Sequence, residues 1–88
     1  MSGAPPDKEE IFVRLTGYMV ELFELEPEAI RLSARLDDDL GLDSIDGVDL
    51  VVKLQDYVGH KIPAAEFKSI RTVGDVVDQM HALLAKPS

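Results

Sequence analysis

Apolar residues recur at helical spacing along three stretches of the chain. The first stretch keeps its apolar positions within one stripe at about 100° per residue, and Arg14, Glu21 and Glu24 lie largely outside it. The stripe consists of Ile11, Phe12, Leu15, Tyr18, Met19, Leu22 and Phe23. Asp7 and Glu10 have the three-residue spacing of a capping box. These positions predict an amphipathic helix that starts near residue 7.

Two further helices are predicted downstream. The second stretch starts near Ser44 and ends around residues 57–59, where Gly59 supplies the left-handed backbone conformation that commonly closes helices. The third stretch opens at Thr72, with Asp75 in the capping-box position. Its apolar face consists of Val73, Val76, Val77, Met80, Leu83 and Leu84. Both stretches therefore predict helices that pack against a core.

No helical period persists between the first two helices. Pro27 moves Glu26 away from helical dihedral angles, and the residues that follow, up to Asp43, keep no regular spacing. Isolated apolar residues recur there, at Ile30, Leu32, Leu36 and Leu40. We predict a long loop without secondary structure whose leucines pin it across the helices.

The whole pattern predicts an all-α fold. Residues 63–67 are long enough for only one or two helical turns, and no stretch alternates apolar and polar residues as a strand does. The expected architecture is a four-helix bundle, with three main helices, a short third helix and the long loop between the first two. We expect residues 1–6 to form a disordered lead, residues 7–85 to form the bundle and residues 86–88 to form a tail.

The second predicted helix has two faces with apolar residues. Its core face consists of Gly47, Leu50, Val51, Leu54 and Val58. The opposite face mixes apolar and acidic residues, namely Ile45, Val48, Asp49, Val52 and Asp56. Either the long loop covers this opposite face, or the face is a docking surface for partner proteins. Charge favours docking, because residues 37–56 hold seven carboxylates and only one cation, Lys53, and so attract basic surfaces.

Composition and charge exclude several classes of function. The 88 residues include 17 acidic and 9 basic side chains, and the net charge of −8 disfavours binding to nucleic acids and anionic membranes. The absence of cysteine excludes disulfides, thiolate zinc sites and a cysteine nucleophile. Neither a signal-like leader nor a long apolar run occurs. We expect a soluble, cytoplasmic, single-domain protein.

No catalytic residue and no metal site is predicted. His60 and His81 stand in a helix-ending turn and late in the last helix, and no motif links either of them to Ser44 as a base to a nucleophile. An EF-hand loop started at Asp37 would place Leu42 where the motif requires glycine. We therefore expect that the chain catalyses nothing by itself and holds no dedicated metal ion.

The most specific motif lies where the long loop meets the second helix. Residues 36–45 read Leu-Asp-Asp-Asp-Leu-Gly-Leu-Asp-Ser-Ile. This stretch resembles the D-x-G-x-D-S-[LI] type signature of acyl carrier proteins, in the form D-D-L-G-L-D-S-I. The resemblance extends over nearly the whole chain, in its length, its acidity, the long first loop, the short third helix and the entry to the last helix at residues 70–75.

The resemblance implies a covalent prosthetic group. Ser44 is expected to carry 4′-phosphopantetheine, attached by a separate phosphopantetheinyl transferase, with Asp43 as the flanking motif residue. The thiol of this arm is expected to hold acyl groups as thioesters. In the family, the helix after the serine is recognised by ketosynthases, other acyl-processing enzymes and the transferase. The candidate contacts are Asp43, Ile45, Val48, Asp49, Val52 and Asp56.

An acyl chain also needs shelter from water between the helices. The candidate lining residues, all equally suited to an ordinary core, are Leu54, Tyr57, Ile62, Phe67, Ile70 and Val76. Two residues of the second helix depart from the family pattern. Gly47 is smaller than the residue expected there, and Lys53 places a cation among acidic residues.

Several alternatives stay open at the level of sequence. A peptidyl or aminoacyl carrier protein shares the fold and the serine, although such carriers usually resemble L-G-G-[HD]-S and are less acidic. An acidic helical interaction module without a prosthetic group would use Ser44 only as a helix cap. For an acyl carrier, the pathway is either fatty-acid synthesis or a specialised polyketide, polyene or modified-lipid pathway. The carrier is expected to be a monomer.

Overall fold

The computed structural model describes residues 6–59, 61–62 and 70–85. The first helix, α1, covers Lys8–Phe23. Asp7 is its N-cap, as predicted, and Asp7 Oδ1 accepts a hydrogen bond from the N–H of Glu10 at 2.8 Å. The helix ends well before Pro27 because Glu24 adopts a left-handed conformation, with φ of 55°, and closes the last turn.

The other two predicted helices are also present. The second helix, α2, covers Ser44–Val58 and ends at Gly59, which has φ of 91° as expected of a closing glycine. The third, α3, covers Val73–Ala85. Thr72 and Asp75 cap it reciprocally: Thr72 Oγ1 accepts from the N–H of Asp75 at 3.2 Å, and Asp75 Oδ2 accepts from the N–H of Thr72 at 3.1 Å. These start and end signals are confirmed.

The segment between α1 and α2 is not structureless, so that part of the prediction is wrong. It contains a 3₁₀ helix at Pro27–Ala29 and a series of turns. It also pairs with the start of α3: the N–H of Leu36 donates to the carbonyl of Arg71 at 2.9 Å, and the N–H of Val73 donates to the carbonyl of Ala34 at 3.0 Å. Such backbone pairing leaves no periodic signal in the sequence, because it does not depend on the side chains.

The three helices share one apolar core. α1 packs against both α2 and α3, and the largest buried side chains are Ile11, Leu15, Met19, Leu54, Val73, Val76, Val77 and Met80. Ile30 and Leu40 of the connecting segment are also buried, as predicted. Two other expectations are wrong, since Leu22 is 38% exposed and Leu32 is 54% exposed. Leu32 reaches α3 through its backbone instead, where its carbonyl accepts from the N–H of Gly74 at 2.8 Å.

The described residues therefore form an all-α fold of three helices and a 3₁₀ turn, with no strand. The predicted short helix at residues 63–67 lies outside the described residues, so the four-helix bundle stays a prediction. Residues 1–5 of the predicted lead and the predicted tail at 86–88 lie outside them too. None of the described helices combines the length and the apolar character needed to cross a bilayer.

Candidate functional site

Ser44 is the first residue of α2 and is exposed to solvent. The preceding residue, Asp43, is the N-cap and shares a reciprocal capping box with Asp46. Asp43 Oδ1 accepts from the N–H of Asp46 at 2.9 Å, and Asp46 Oδ2 accepts from the N–H of Asp43 at 3.2 Å. The box holds the first turn of the helix in place around the serine.

Two backbone N–H groups of this first turn are left without a hydrogen bond among the described residues. The N–H groups of Ser44 and Ile45 have no acceptor in the part of the chain that the structure describes. Unpaired N–H groups and the positive end of the helix dipole favour an anion, by about 0.3–1 kcal/mol at an exposed position. The carboxylates of Asp43 and Asp46 lie close by and oppose this attraction. The turn therefore suits one anionic group, held only weakly.

The outer face of α2 exposes apolar and acidic side chains together. Ile45, Val48 and Val52 are 72%, 61% and 55% exposed, and Asp49 and Asp56 on the same helix are exposed too. The segment between α1 and α2 does not cover this face, so the interpretation that the long loop shields it is excluded. We call these five residues the outer face of α2.

An apolar cleft of about 560 Å³ opens beside Ser44. Its described lining consists of Leu36, Ser44, Gly47, Val48, Leu50, Val51, Val52, Gln55, Ile62, Ile70 and Val76. None of these side chains is ionisable. The amide oxygen of Gln55 is already engaged, because Oε1 accepts from the N–H of Ile62 at 3.0 Å. The cleft therefore suits an uncharged, apolar occupant.

The cleft agrees only partly with the lining predicted from the sequence. Ile62, Ile70 and Val76 line it, whereas Leu54 is buried in the core and Phe67 lies outside the described residues. Sequence reasoning did not assign the other eight described lining residues to the cleft, among them Leu36, Gly47 and Gln55. Helical spacing could have indicated Gly47 and Gln55, because they lie three and eleven residues after Ser44 and so fall on the same side of the helix.

Tyr57 faces α1 instead of the cleft. Its ring meets the ring of Tyr18 edge-on, with centroids 6.2 Å apart, and the guanidinium of Arg14 lies 5.3 Å from its centroid. The hydroxyl of Tyr57 is buried without a hydrogen-bond partner among the described residues, and burial raises its pKa. The prediction that Tyr57 lines an acyl site is therefore wrong for this structure, because its ring is used in packing between α1 and α2.

Lys53 is also directed toward α1. Its Nζ lies 5.6 Å from the ring centroid of Tyr18 and 3.9 Å from Glu21 Oε1. A cation over an aromatic ring is attracted to the π face, so these contacts stabilise the inward orientation. Lys53 is the single cation of residues 37–56, and it points toward α1. The charged side chains of the outer face of α2 are therefore all negative.

Comparison with known proteins identifies the family. The model of the family described as "Phosphopantetheine attachment site" matches residues 13–80. The chain is 46% identical over 76 residues to "Acyl carrier protein 2" of Ralstonia nicotianae, covering 86% of this chain and 94% of that protein. It is 38% identical over 80 residues to the acyl carrier protein of Saccharopolyspora erythraea, covering 91% and 84%. The chain belongs to the acyl carrier protein family.

Family membership settles what kind of molecule this is. An acyl carrier protein is a non-catalytic carrier that holds acyl groups as thioesters on a covalently attached 4′-phosphopantetheine. It interacts with acyl-processing enzymes and with a phosphopantetheinyl transferase. In this acyl carrier protein, no cluster of three or more His, Asp or Glu side chains suited to a metal ion occurs among the residues described. His81 is half-buried on α3, and His60 lies outside the described residues.

Proposed function

We propose that 4′-phosphopantetheine is attached to the hydroxyl of Ser44. The observation that carries this assignment is the position of Ser44, an exposed serine on the first turn of α2 and on the edge of the apolar cleft. The uncommitted amides of Ser44 and Ile45 suit the phosphodiester that would join the arm to the chain. Asp43 supports the same site by capping the helix.

The residues around Ser44 have separate roles in the proposed carrier function. The prosthetic group, when attached, supplies the thiol that holds the acyl group as a thioester. Asp43 and Asp46 hold the first turn, and their negative charge keeps the phosphodiester from binding tightly. The arm is then free either to extend into a partner enzyme or to fold back so that its acyl group enters the cleft. The apolar lining excludes water from an acyl group placed there.

The outer face of α2, together with Asp43, is proposed to bind partner enzymes. Asp43, Asp49 and Asp56 would steer the carrier toward basic patches, and the three exposed apolar residues would add short-range contact. Contacts of this kind are weak and salt-sensitive, as a carrier that visits several enzymes in turn requires. The proposed partners are the phosphopantetheinyl transferase, a ketosynthase and other enzymes that process acyl groups.

The proposed setting is cytoplasmic fatty-acid or polyketide-type synthesis, with the carrier as a free-standing monomer. The described lining of the cleft holds no charged side chain, which supports acyl groups over aminoacyl groups as cargo, because an ammonium group would lose its hydration there without gaining a partner on that lining. This observation favours an acyl carrier over the peptidyl or aminoacyl alternative.

Mass spectrometry after incubation with coenzyme A and a broad-specificity transferase tests the attachment site. The native chain is expected to gain one phosphopantetheine, Ser44→Ala to gain none, and Ser33→Ala to be modified like the native chain. Ser33 is a matched control because it is an exposed serine outside the helices. Modification of Ser44→Ala, or no modification of the native chain, would contradict the proposal.

A further inference from the structure

Nothing in the part of the chain that the structure describes requires glycine at position 47. It lies inside α2, where glycine destabilises a helix relative to alanine. Its backbone is ordinary, since Gly41 and Gly59 are the described glycines with positive φ. A Cβ placed on Gly47 would meet no atom of the described residues within 4 Å, apart from its chain neighbours and the backbone of its own helix. Neither backbone conformation nor close packing therefore accounts for the missing side chain.

The position of Gly47 suggests what the missing side chain provides. Gly47 lies on the lining of the apolar cleft, about one helical turn after Ser44. Its neighbours on that lining, Val48 and Val51, carry branched side chains. Because Gly47 lines the cleft close to Ser44 and a Cβ on it has free space among the described residues, a side chain at position 47 would narrow the end of the cleft next to Ser44, which we call its mouth.

We propose that Gly47 is a specificity-determining residue that widens the mouth of the cleft for uncharged acyl groups broader than an unbranched chain. The inference rests on the proposed function, in which the arm on Ser44 delivers its acyl group to this cleft. The lack of ionisable side chains on the described lining selects for an uncharged group. The open space at Gly47 removes the steric limit that would favour a narrow alkyl chain over one that ends in a ring or carries branches.

The test compares a narrow and a broad acyl group on the same carriers. The native chain, Gly47→Ala and Gly47→Leu are loaded by the transferase from octanoyl-coenzyme A or phenylhexanoyl-coenzyme A, and the Tm of each is compared with that of its unacylated phosphopantetheinyl form. Both groups are expected to raise the Tm of the native chain. We call the rise in Tm caused by an acyl group its increment. In Gly47→Leu, the increment of the phenylhexanoyl group is expected to fall to less than half of its value in the native chain, whereas the octanoyl group is expected to keep most of its increment. The proposal is overturned if both increments respond alike to Gly47→Leu, whether both persist or both vanish.

Gly17 provides the matched control. It lies inside α1, and a Cβ placed on it also meets no described atom within 4 Å apart from its chain neighbours and its own helix backbone, but Gly17 is not among the residues that line the cleft. Gly17→Leu is expected to leave both acyl increments as in the native chain. Because each increment compares two forms of one variant, any change in basal helix stability cancels. Failure of the native chain to accept the arm would refute the proposed function, whereas normal loading with parallel increments would refute only the role of Gly47.

Discussion

Asp43 and Asp46 each accept a hydrogen bond from the backbone N–H of the other, and the helix that bears Ser44 begins between them. The two carboxylates occupy two of the orphan amides that every helix start leaves unpaired. They also place negative charge beside the proposed site of attachment. The same pair therefore fixes the helix start and limits how firmly an anionic arm is held.

Replacing Asp43 by alanine is expected to lower the free energy of unfolding by about 1 kcal/mol, because the N–H of Asp46 loses its acceptor. Asp43→Asn is expected to retain most of that stability, since an asparagine side chain also caps helices. Urea unfolding of the two variants checks both values. Equal losses would show that the charge of Asp43, and not its hydrogen bond, stabilises the start of α2.

Asp49→Lys is expected to slow modification by the transferase about tenfold at low salt, because it reverses one charge in the middle of the outer face of α2. The unfolding free energy should change little, since Asp49 is exposed. Glu28→Lys makes the same charge change at an exposed residue of the 3₁₀ turn, away from α2. Rates measured at rising ionic strength should converge for the native chain and Asp49→Lys. Equal slowing by the two variants would attribute the effect to net charge alone.

Local chemistry made much of this structure predictable. Asp7 and Thr72 cap the helices as expected from spacing alone, and Gly59 closes α2 as expected from its freedom to adopt positive φ. The exposure of Ile45 and Val48 was predictable because helical spacing places them opposite the core residues of α2. Each of these signals lies within one helical turn, where sequence distance and spatial distance agree.

Contacts between segments distant in sequence were not predictable in the same way. Leu32 joins α3 through its carbonyl group while its side chain is exposed, so its apolar character misled the prediction. Leu54 and Tyr57 lie on a helix that borders both the core and the cleft, and helical spacing alone did not decide which one each residue faces. For Tyr57, the packing of α1 against α2 decides it, through Tyr18 and Arg14.

Gly74→Ala is expected to destabilise the fold by about 1–3 kcal/mol through overpacking. A Cβ at this position would lie 3.0 Å from the carbonyl oxygen of Leu32, which also accepts the N–H of Gly74 at 2.8 Å. The backbone contact between the connecting segment and α3 would have to open. Gly17→Ala, in open space on α1, should instead stabilise the chain by about 1 kcal/mol. Thermal unfolding of both variants measures the contrast, and a stabilised Gly74→Ala would contradict the close contact.

Tyr57→Phe is expected to leave the free energy of unfolding unchanged or to raise it by up to about 1 kcal/mol. The variant removes a buried hydroxyl that lacks a partner among the described residues, while the ring contact with Tyr18 is kept. Tyr57→Leu, which also loses the aromatic contact and the Arg14 interaction, should be less stable than Tyr57→Phe. Chemical unfolding compares the three proteins. A clear loss of stability in Tyr57→Phe would show that the hydroxyl has a partner.

Asp75 is expected to make the entry to α3 sensitive to acid. Its carboxylate accepts hydrogen bonds from the N–H groups of Arg71 and Thr72, at 3.0 and 3.1 Å, and these bonds lower its pKa below the usual 3.8. Because the pKa is lower in the folded state than in the unfolded state, the stability that Asp75 contributes is complete above its usual pKa. It is lost as the pH falls through the lower, folded-state value.

Unfolding free energies of the native chain and Asp75→Asn, measured from pH 7 down to about pH 2, test this dependence. The difference between the two proteins is expected to be constant near neutral pH and to shrink below the usual pKa of 3.8, because only the native chain then gains a proton at this position. Glu28→Gln controls for the loss of one negative charge at an exposed residue away from α3. A difference that stays constant through the acidic range would mean that the backbone hydrogen bonds to Asp75 do not favour its ionised form.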